Sequence, residues 1–509
     1  MIAPAAFLLL AAWAAPQAPD PRLQKGLALF QQEHYTEAFV EFEAAARAHP
    51  GNAAIENVLG ITATKLGRIE QANQHYRRAI RLDPKLAAAH KNLGFNLLNG
   101  KQYVEAETQL KTALTLDGAD PFPHLYLAML YLASGRDKDA IERLAPARAL
   151  LVNEPAVACD MVKACVRAGR AAEGLALAAV LEQKAAFSVS QEYELAALLY
   201  AKQLYPESVE RFRRIAAASN SWGNRYNLAI ALTAARQGAE AVKVVEALAA
   251  ERPQDPNVLS LLGSAYEASD QPRQALDAYQ RAVRADPENP DRYLDYSRLL
   301  MDLDRYDESE QFVREGLNAV RDTYALHMRL GSVQMMAARY DQARASFHEA
   351  IAAHPEIPLG YVALARTYFK EGQDEEAAKV LTAARAKLPP DFLLEYYTGL
   401  ALSRVDRKAE AAAALEAAVR LNGAVPEPHY ELGKVYFATD RIEAARAEFE
   451  RTIQLAPAHA NAHYQLSRIY TRLGQSEKAR EMADKTRELK RLQREEGLRA
   501  QRARLKGLE

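Results

Sequence analysis

The chain has 509 residues, 49% of them hydrophobic, with 65 basic and 66 acidic side chains. The formal net charge of −1 lacks the basic excess typical of nucleic-acid-binding proteins, so we expect no nucleic-acid partner. Charges of both signs are interspersed, which excludes an acidic disordered chain and indicates solvated helix faces.

The segment 1–18 is predicted to be a signal peptide. Ile2 to Ala15 is an uncharged apolar run, shorter than the ~20 residues that span a bilayer, and Ala12-Trp13-Ala14 is a small-x-small cleavage pattern. We therefore expect export, to the periplasm or beyond the cell. No Lys or Arg precedes the run, which keeps a cytoplasmic location as the alternative. No later stretch reaches transmembrane length, so no transmembrane segment is predicted.

From there the chain repeats itself about every 34 residues, counted in a frame that begins one unit at Ala53. The twentieth frame position reads Ala38, Ala72, Ala106, Ala140, Gly174, Ser208, Ala241, Ala275, Ser309, Ala343, Ala377, Ala411, Ala445 and Ala479. The eighth reads Gly26, Gly60, Gly94, Ala128, Val162, Ala196, Ala229, Gly263, Ser297, Gly331, Ala365, Gly399, Gly433 and Ser467. Such periodicity predicts an array of stacked units.

Each unit is predicted to hold two helices of about a dozen residues joined by a turn. Glycines stand at five of the predicted turns, where a chain leaving a helix needs a left-handed residue: Gly67, Gly135, Gly169, Gly372 and Gly474. Small residues on both helices let the backbones approach, and Phe42, Phe347 and Phe449 should fill the remaining groove. Prolines such as Pro50 and Pro457 should end the second helix.

This pattern resembles the tetratricopeptide repeat family, and the resemblance extends over about 14 units between positions 19 and 493. The fullest copy reads Leu262, Gly263, Tyr266, Ala275, Tyr279, Ala282 and Pro287. The resemblance implies an all-α fold, an α–α solenoid, that binds proteins or peptides.

Two regions depart from the pattern. The units between Pro155 and Asn220 are degenerate, and one step of the repeat is a single residue shorter than the others, near Ala218 to Arg225. This is either sequence drift or a hinge between an N-terminal array (19–220) and a C-terminal array (221–493). The segment 494–509 is a charged tail, interpreted as a solvating cap or as a contact for an acidic partner or a membrane surface.

Signatures of catalysis and metal binding are absent from the sequence. There is no His-Glu-x-x-His, no Gly-x-Ser-x-Gly and no phosphate loop, so we predict a protein that is not an enzyme and holds no cofactor or metal. His463 shares the fourth frame position with His90 and His429, which indicates a structural role. Cys159 and Cys165 lie six apart on one predicted helix, a poor geometry for a disulfide, and should be free packed thiols.

The resemblance also implies that the first helices line a concave groove. The candidate groove residues are Arg329, Arg366, Tyr396, Tyr397, Tyr430, Lys434, Tyr464 and Arg468. Tyr396, Tyr430 and Tyr464 occupy the same frame position in successive units and should form a ladder flanked by cations. Such a surface suits an extended segment bearing carboxylates.

The predicted function is a scaffold in a bacterial envelope assembly, secretion or polymer-export system; the alternative is a cytoplasmic adaptor or co-chaperone-like regulator. The sequence does not specify the oligomeric state.

Overall fold

A computed structural model of the chain describes residues 20–151, 153–182 and 187–506. These residues form helices and connecting turns, and the described ranges contain no strand. The all-α prediction is confirmed. The predicted signal peptide, 1–18, lies outside the described residues.

The helices divide into two compact units at Gln237 and Gly238. The first unit contains α1 (Pro21–Gln31), α2 (Tyr35–Ala48), α3 (Ala53–Lys65), α4 (Ile69–Leu82), α5 (Ala87–Asn99), α6 (Tyr103–Leu116), α7 (Pro121–Ala133), α8 (Asp137–Glu142), α9 (Leu144–Leu151), α10 (Pro155–Arg167), α11 (Ala171–Glu182), α12 (Val189–Ala201), α13 (Tyr205–Ala218) and α14 (Trp222–Ala234).

The second unit begins at Gly238. It contains α15 (Gly238–Glu251), α16 (Pro256–Ala268), α17 (Pro272–Ala285), α18 (Pro290–Asp302), α19 (Tyr306–Ala319), α20 (Tyr324–Met336), α21 (Tyr340–Ala353), α22 (Pro358–Lys370), α23 (Asp374–Arg385), α24 (Phe392–Arg404), α25 (Lys408–Leu421), α26 (Pro426–Ala438), α27 (Ile442–Leu455), α28 (Ala460–Arg472) and α29 (Ser476–Lys506).

The predicted array boundary at 220/221 falls inside the first unit, between α13 and α14. The loop 219–221 separates these two helices, whereas the longer loop 49–52 separates α2 from α3. The shortened loop explains the single shortened step of the repeat. The hinge itself stays a prediction.

Each helix pair is joined by a turn with one residue of left-handed conformation. Such residues recur with φ between 55° and 78° at Glu33, Gly67, Lys101, Gly135, Gly169, Gln203, Arg236, Asp270, Asp304, Ala338, Gly372, Asp406, Asp440 and Gly474. At Gly67 the following Arg68 N–H donates to Ala63 O at 2.9 Å, which closes the last helical turn. The five predicted glycine turns are confirmed, and nine other turns take the same conformation without glycine.

Within a pair, glycine on the first helix lets a large side chain from the second helix come close. A Cβ atom added to Gly26, Gly331 or Gly433 would lie 2.6, 2.6 and 2.8 Å from ring carbons of Phe42, Phe347 and Phe449, respectively. Those rings are at most 1% exposed. The predicted groove-filling role of the three phenylalanines is confirmed.

One second helix is broken, which the periodic pattern did not predict. Arg143 interrupts the helical run between α8 and α9, and Pro146 follows shortly after it. Pro146 has no N–H to donate to Glu142 O, and its ring would collide with that carbonyl in a continuous helix. Proline inside a helical pattern was the available signal for this break.

The last helix, α29, is 31 residues long. Thr486 and Leu489 are buried, whereas positions 490–499 are exposed. The helix therefore packs over its first half, and its charged continuation through 499 faces solvent. The interpretation of the tail as a solvating cap stays a prediction.

Candidate functional site

The candidate site is built on the first helices of successive pairs in the second unit. Contacts link α18 with α20, α20 with α22, α22 with α24, and α24 with α26. We call the surface that these helices and α28 present the first-helix face.

The helical period decides which side chains reach this face. In α28, Ala462, His463, Leu466 and Ile469 are buried, whereas Tyr464 and Arg468 are exposed. Tyr464 and Arg468 are four residues apart and therefore lie on one side of the helix. The apolar positions anchor the helix while this side stays open.

Tyr464 is the most open of the predicted tyrosines, with 47% of its surface exposed. The Arg468 guanidinium lies 6.0 Å and the Lys490 ammonium 5.7 Å from the centre of its ring. Arg468 also lies 4.8 Å from the Phe437 ring. An exposed aromatic ring with two cations near it is suited to binding a flat or anionic group.

Tyr430 is half-buried and lies between apolar and charged neighbours. Its ring centre is 5.7 Å from Phe449 and 4.6 Å from His459, and Lys434 lies 5.5 Å away. Lys434 is bonded to Glu431 at 2.6 Å, so its charge is partly compensated. The sequence placed Lys434 among the cations that flank the tyrosines but did not predict its pairing with Glu431.

Tyr396 stacks with Phe392 at 6.5 Å and meets Tyr397 edge-on at 5.1 Å. Burial, with the nearby Glu431 carboxylate, raises the pKa of Tyr396 to about 12, so the phenol stays neutral. Among the described residues no ring contact joins any two of the three tyrosines in the predicted ladder. The three tyrosine rings are therefore separate and do not stack on one another.

The two remaining predicted cations differ from Lys434. Arg366 on α22 is exposed and has no ion pair or hydrogen bond with the described residues. Arg329 on α20 is half-buried, and among the described residues its guanidinium bonds only the Met301 sulfur, at 3.6 Å. Burial, followed by repulsion from Arg298, lowers the pKa of Arg329.

The sequence reading missed two acidic residues on the same face. Asp295 on α18 is half-buried, and burial raises its pKa despite the attraction of Arg298 and Arg292. Glu431 on α26 is the second. Asp295, Arg329, Tyr397 and Glu431 all occupy the sixth frame position, so reading that column for acids as well as cations would have found both.

The recurring histidines have the structural role predicted for them. The Nε2 atoms of His90, His429 and His463 lie 3.0–3.2 Å from the backbone carbonyl oxygen six residues earlier. His459 precedes α28 and accepts a hydrogen bond from Ala462 N–H as its N-cap. The described ranges contain no group of three or more His, Cys, Asp or Glu side chains placed to hold a metal ion.

Comparisons with known proteins agree with this architecture. Models described as tetratricopeptide repeat match residues 267–329, 334–396, 396–457 and 430–491, and a TPR repeat model matches residues 60–100. The chain contains tetratricopeptide repeats.

Among curated relatives, the peroxisomal targeting signal receptor of Candida glabrata is 33% identical over 98 residues, covering 19% of this chain and 17% of the receptor. The chain thus spans about a sixth of that relative's length. Among solved structures, yeast Tom70 is 14% identical with a TM-score of 0.40, covering 93% of this chain and 96% of Tom70. YrrB, titled a TPR protein with an unusual peptide-binding site, is 20% identical with a TM-score of 0.30, covering 37% of this chain and 96% of YrrB. No helix in the described ranges is both long and apolar enough to cross a membrane.

Proposed function

We propose that this tetratricopeptide-repeat protein is a non-enzymatic scaffold that binds an extended segment of a partner protein along the first-helix face of its second unit. The observation that carries the proposal is the exposed Tyr464 ring with Arg468 and Lys490 near it. The proposed contacts are Arg329, Arg366, Tyr396, Tyr397, Tyr430, Lys434, Tyr464 and Arg468.

Two further considerations support this proposal. Aromatic and arginine side chains supply most of the binding energy in protein interfaces, and this face presents both. The curated relatives are named as receptors for a targeting signal. We propose a partner segment that carries carboxylates, and no nucleic-acid partner.

We further propose that all the helix pairs, about 14, are tetratricopeptide repeats of an exported bacterial-type protein. The segment 1–18 would then be removed and the scaffold would serve an assembly, secretion or polymer-export system of the envelope. Sequencing the amino terminus of the protein isolated from its host tests this. A chain that keeps Met1 and fractionates with the cytoplasm would instead favour the cytoplasmic adaptor.

Site-specific photo-cross-linking tests the binding face. A benzophenone side chain placed at position 464 should form adducts with partner segments, which mass spectrometry would map to a few consecutive residues. Position 379 is the matched control, since Lys379 is exposed on the second helix α23. Equal adduct formation at both positions would contradict the proposal.

A Tyr464→Ala variant completes the test. Because this ring is half exposed, its removal should change the free energy of unfolding by less than about 0.5 kcal/mol. We expect it to reduce partner binding without loss of folding, measured by pull-down and by circular dichroism. Unchanged binding would move the site away from α28.

A further inference from the structure

Three charged side chains follow one another along the first-helix face without ion-pair partners. Asp295 lies on α18, Arg329 on α20 and Arg366 on α22, and none has an oppositely charged atom within ion-pair distance in the described part of the chain. Other charges nearby are paired: Arg298, one turn from Asp295, binds Glu267 at 2.5 Å. The unpaired groups therefore form a distinct series, one negative and two positive.

Two of the three groups are held where water hydrates them poorly. Asp295 and Arg329 are both half-buried. A half-buried charge without a partner costs folding free energy, because it loses hydration without gaining an ion pair. Burial shifts the pKa of each group toward its neutral form, which is the same cost seen in titration. Uncompensated charges of this kind mark candidate binding sites.

The spacing of the helices sets how a ligand could meet all three. Contacting helices lie about 8–10 Å apart, and an extended chain advances about 3.3 Å per residue. A segment running across α18, α20 and α22 therefore advances about three residues per helix. Every third side chain would meet the next first helix; Asp295 and Arg329 share one frame position, and Arg366 lies three residues further along its own helix.

We infer that the bound segment carries a basic residue opposite Asp295 and acidic residues three and six positions away, opposite Arg329 and Arg366. This inference rests on the proposed function and specifies its ligand: an extended peptide with the charge order basic, acidic, acidic at intervals of three. Both chain directions of the ligand are compatible with this arrangement. A peptide of reversed sequence that binds in the opposite direction places the same charges opposite the same three helices.

Three peptides of equal composition test the charge order. The probes are Lys-x-x-Glu-x-x-Glu, Glu-x-x-Glu-x-x-Lys and Glu-x-x-Lys-x-x-Glu, with Gly and Ser at x and a fluorophore at one end. The third probe places lysine opposite Arg329 in both chain directions. Fluorescence anisotropy with the full chain should show one of the first two binding about tenfold more tightly than the third. Equal affinity for all three would overturn the inference.

Charge exchange gives a result that misfolding cannot imitate. Arg329→Glu should abolish the preference, because the best of the first two probes and Glu-x-x-Lys-x-x-Glu then each meet one like charge. The same variant should come to favour the preferred probe with lysine in place of its central glutamate, whereas Arg329→Lys should keep the original order. Asp295→Lys should come to favour Glu-x-x-Glu-x-x-Glu. A preference that stays unchanged in Arg329→Glu would overturn the inference.

Failure of this inference is distinguishable from failure of the proposed function. Peptides that bind equally well, and that are all weakened by Tyr464→Ala, would remove the charge order and leave the binding face. No saturable binding of any probe would overturn the charge order. Cross-linking at position 464 then decides whether the proposed function falls with it.

Discussion

Two helix pairs pack closely with their glycine on opposite helices of the pair. In the second unit, α16 supplies Gly263 and α17 supplies the small Ala275, and a Cβ at position 263 would lie 2.5 Å from the Tyr279 ring. In the first unit, α10 carries Val162 at the equivalent position and α11 supplies Gly174 instead. A Cβ at position 174 would lie 2.9 Å from Val162 O and 2.8 Å from Cys165 Cβ.

The difference shows that close approach is a property of the pair rather than of one position. Val162 was predicted to mark a degenerate unit, yet Val162 and its neighbours in α10 are buried as fully as those in α16. Gly174 lets α11 come close to the Val162 carbonyl oxygen and the Cys165 side chain. Four experiments test this comparison, in order of decreasing change in stability at neutral pH.

Gly263→Val should cause the largest loss. The added carbons would collide with Tyr279, which is fully buried and whose hydroxyl is bonded to Glu267 and, at 3.0 Å, to Ser264. We expect about 3 kcal/mol of destabilisation from overpacking. Denaturant unfolding followed by circular dichroism would measure it, with Gly223→Val, where a Cβ meets nothing, as the control. Equal stability of the two variants would contradict the packing role.

Gly174→Ala should destabilise by about 2 kcal/mol, because the clash with Val162 O outweighs the ~1 kcal/mol that alanine gains over glycine in a helix. Val162→Gly keeps the carbonyl oxygen but removes the side chain; if this lets α10 shift away from the added methyl group, Val162→Gly should restore part of the stability lost in Gly174→Ala. A double-mutant cycle on denaturant unfolding checks this. Purely additive losses would show that the two positions are independent.

In α18 and α19, the eighth and the twentieth frame positions are both serine. Ser297 Oγ lies 2.7 Å from Ser309 Oγ, and Ser309 also donates to Ser297 O at 3.1 Å. Ser309→Ala should cost about 1 kcal/mol, because it removes buried hydrogen bonds without changing the packing volume much. Ser332→Ala is the control, since in the described part of the chain that hydroxyl bonds only Met328 O in its own helix. A similar loss in both variants would argue against the interhelical bond.

The thiols of α10 offer the most local test, and its effect is the smallest at neutral pH. Cys159 and Cys165 are free and buried, as predicted, and burial raises the pKa of each to about 11. Because the unfolded thiol ionises near pH 9, stability should fall as pH rises from about 9 toward 11. In Cys159→Ala/Cys165→Ala this part of the decline should be reduced, measured by urea unfolding at several pH values. An unchanged decline would assign it to other groups.

Local features were the most predictable from sequence. The repeat period, the glycine turns and the ring that covers Gly433 depend on neighbours within one helix pair. The exchange between Val162 and Gly174 was not predicted, because each residue was judged against its own column. The break at Pro146 was missed, since two helices were assumed for every unit.

Charge pairing on the candidate site was the least predictable part. Whether Lys434 is compensated depends on the rotamer that brings Glu431 to it, and whether Arg329 is left unpaired depends on α18, the first helix of the preceding pair. Periodicity places such residues on a face but does not determine their partners. The eight predicted site residues thus stay a hypothesis about binding.

The left-handed turn residues have a practical consequence. All of those with φ between 55° and 78° are exposed, and the same backbone shape accepts Glu, Lys, Gln, Arg, Asp, Ala or Gly. A cysteine introduced at any of them would be accessible, whereas Cys159 and Cys165 are buried and protonated at neutral pH. The helix pairs thus offer equivalent attachment points, one per pair, at which two dyes could measure the distance between chosen pairs.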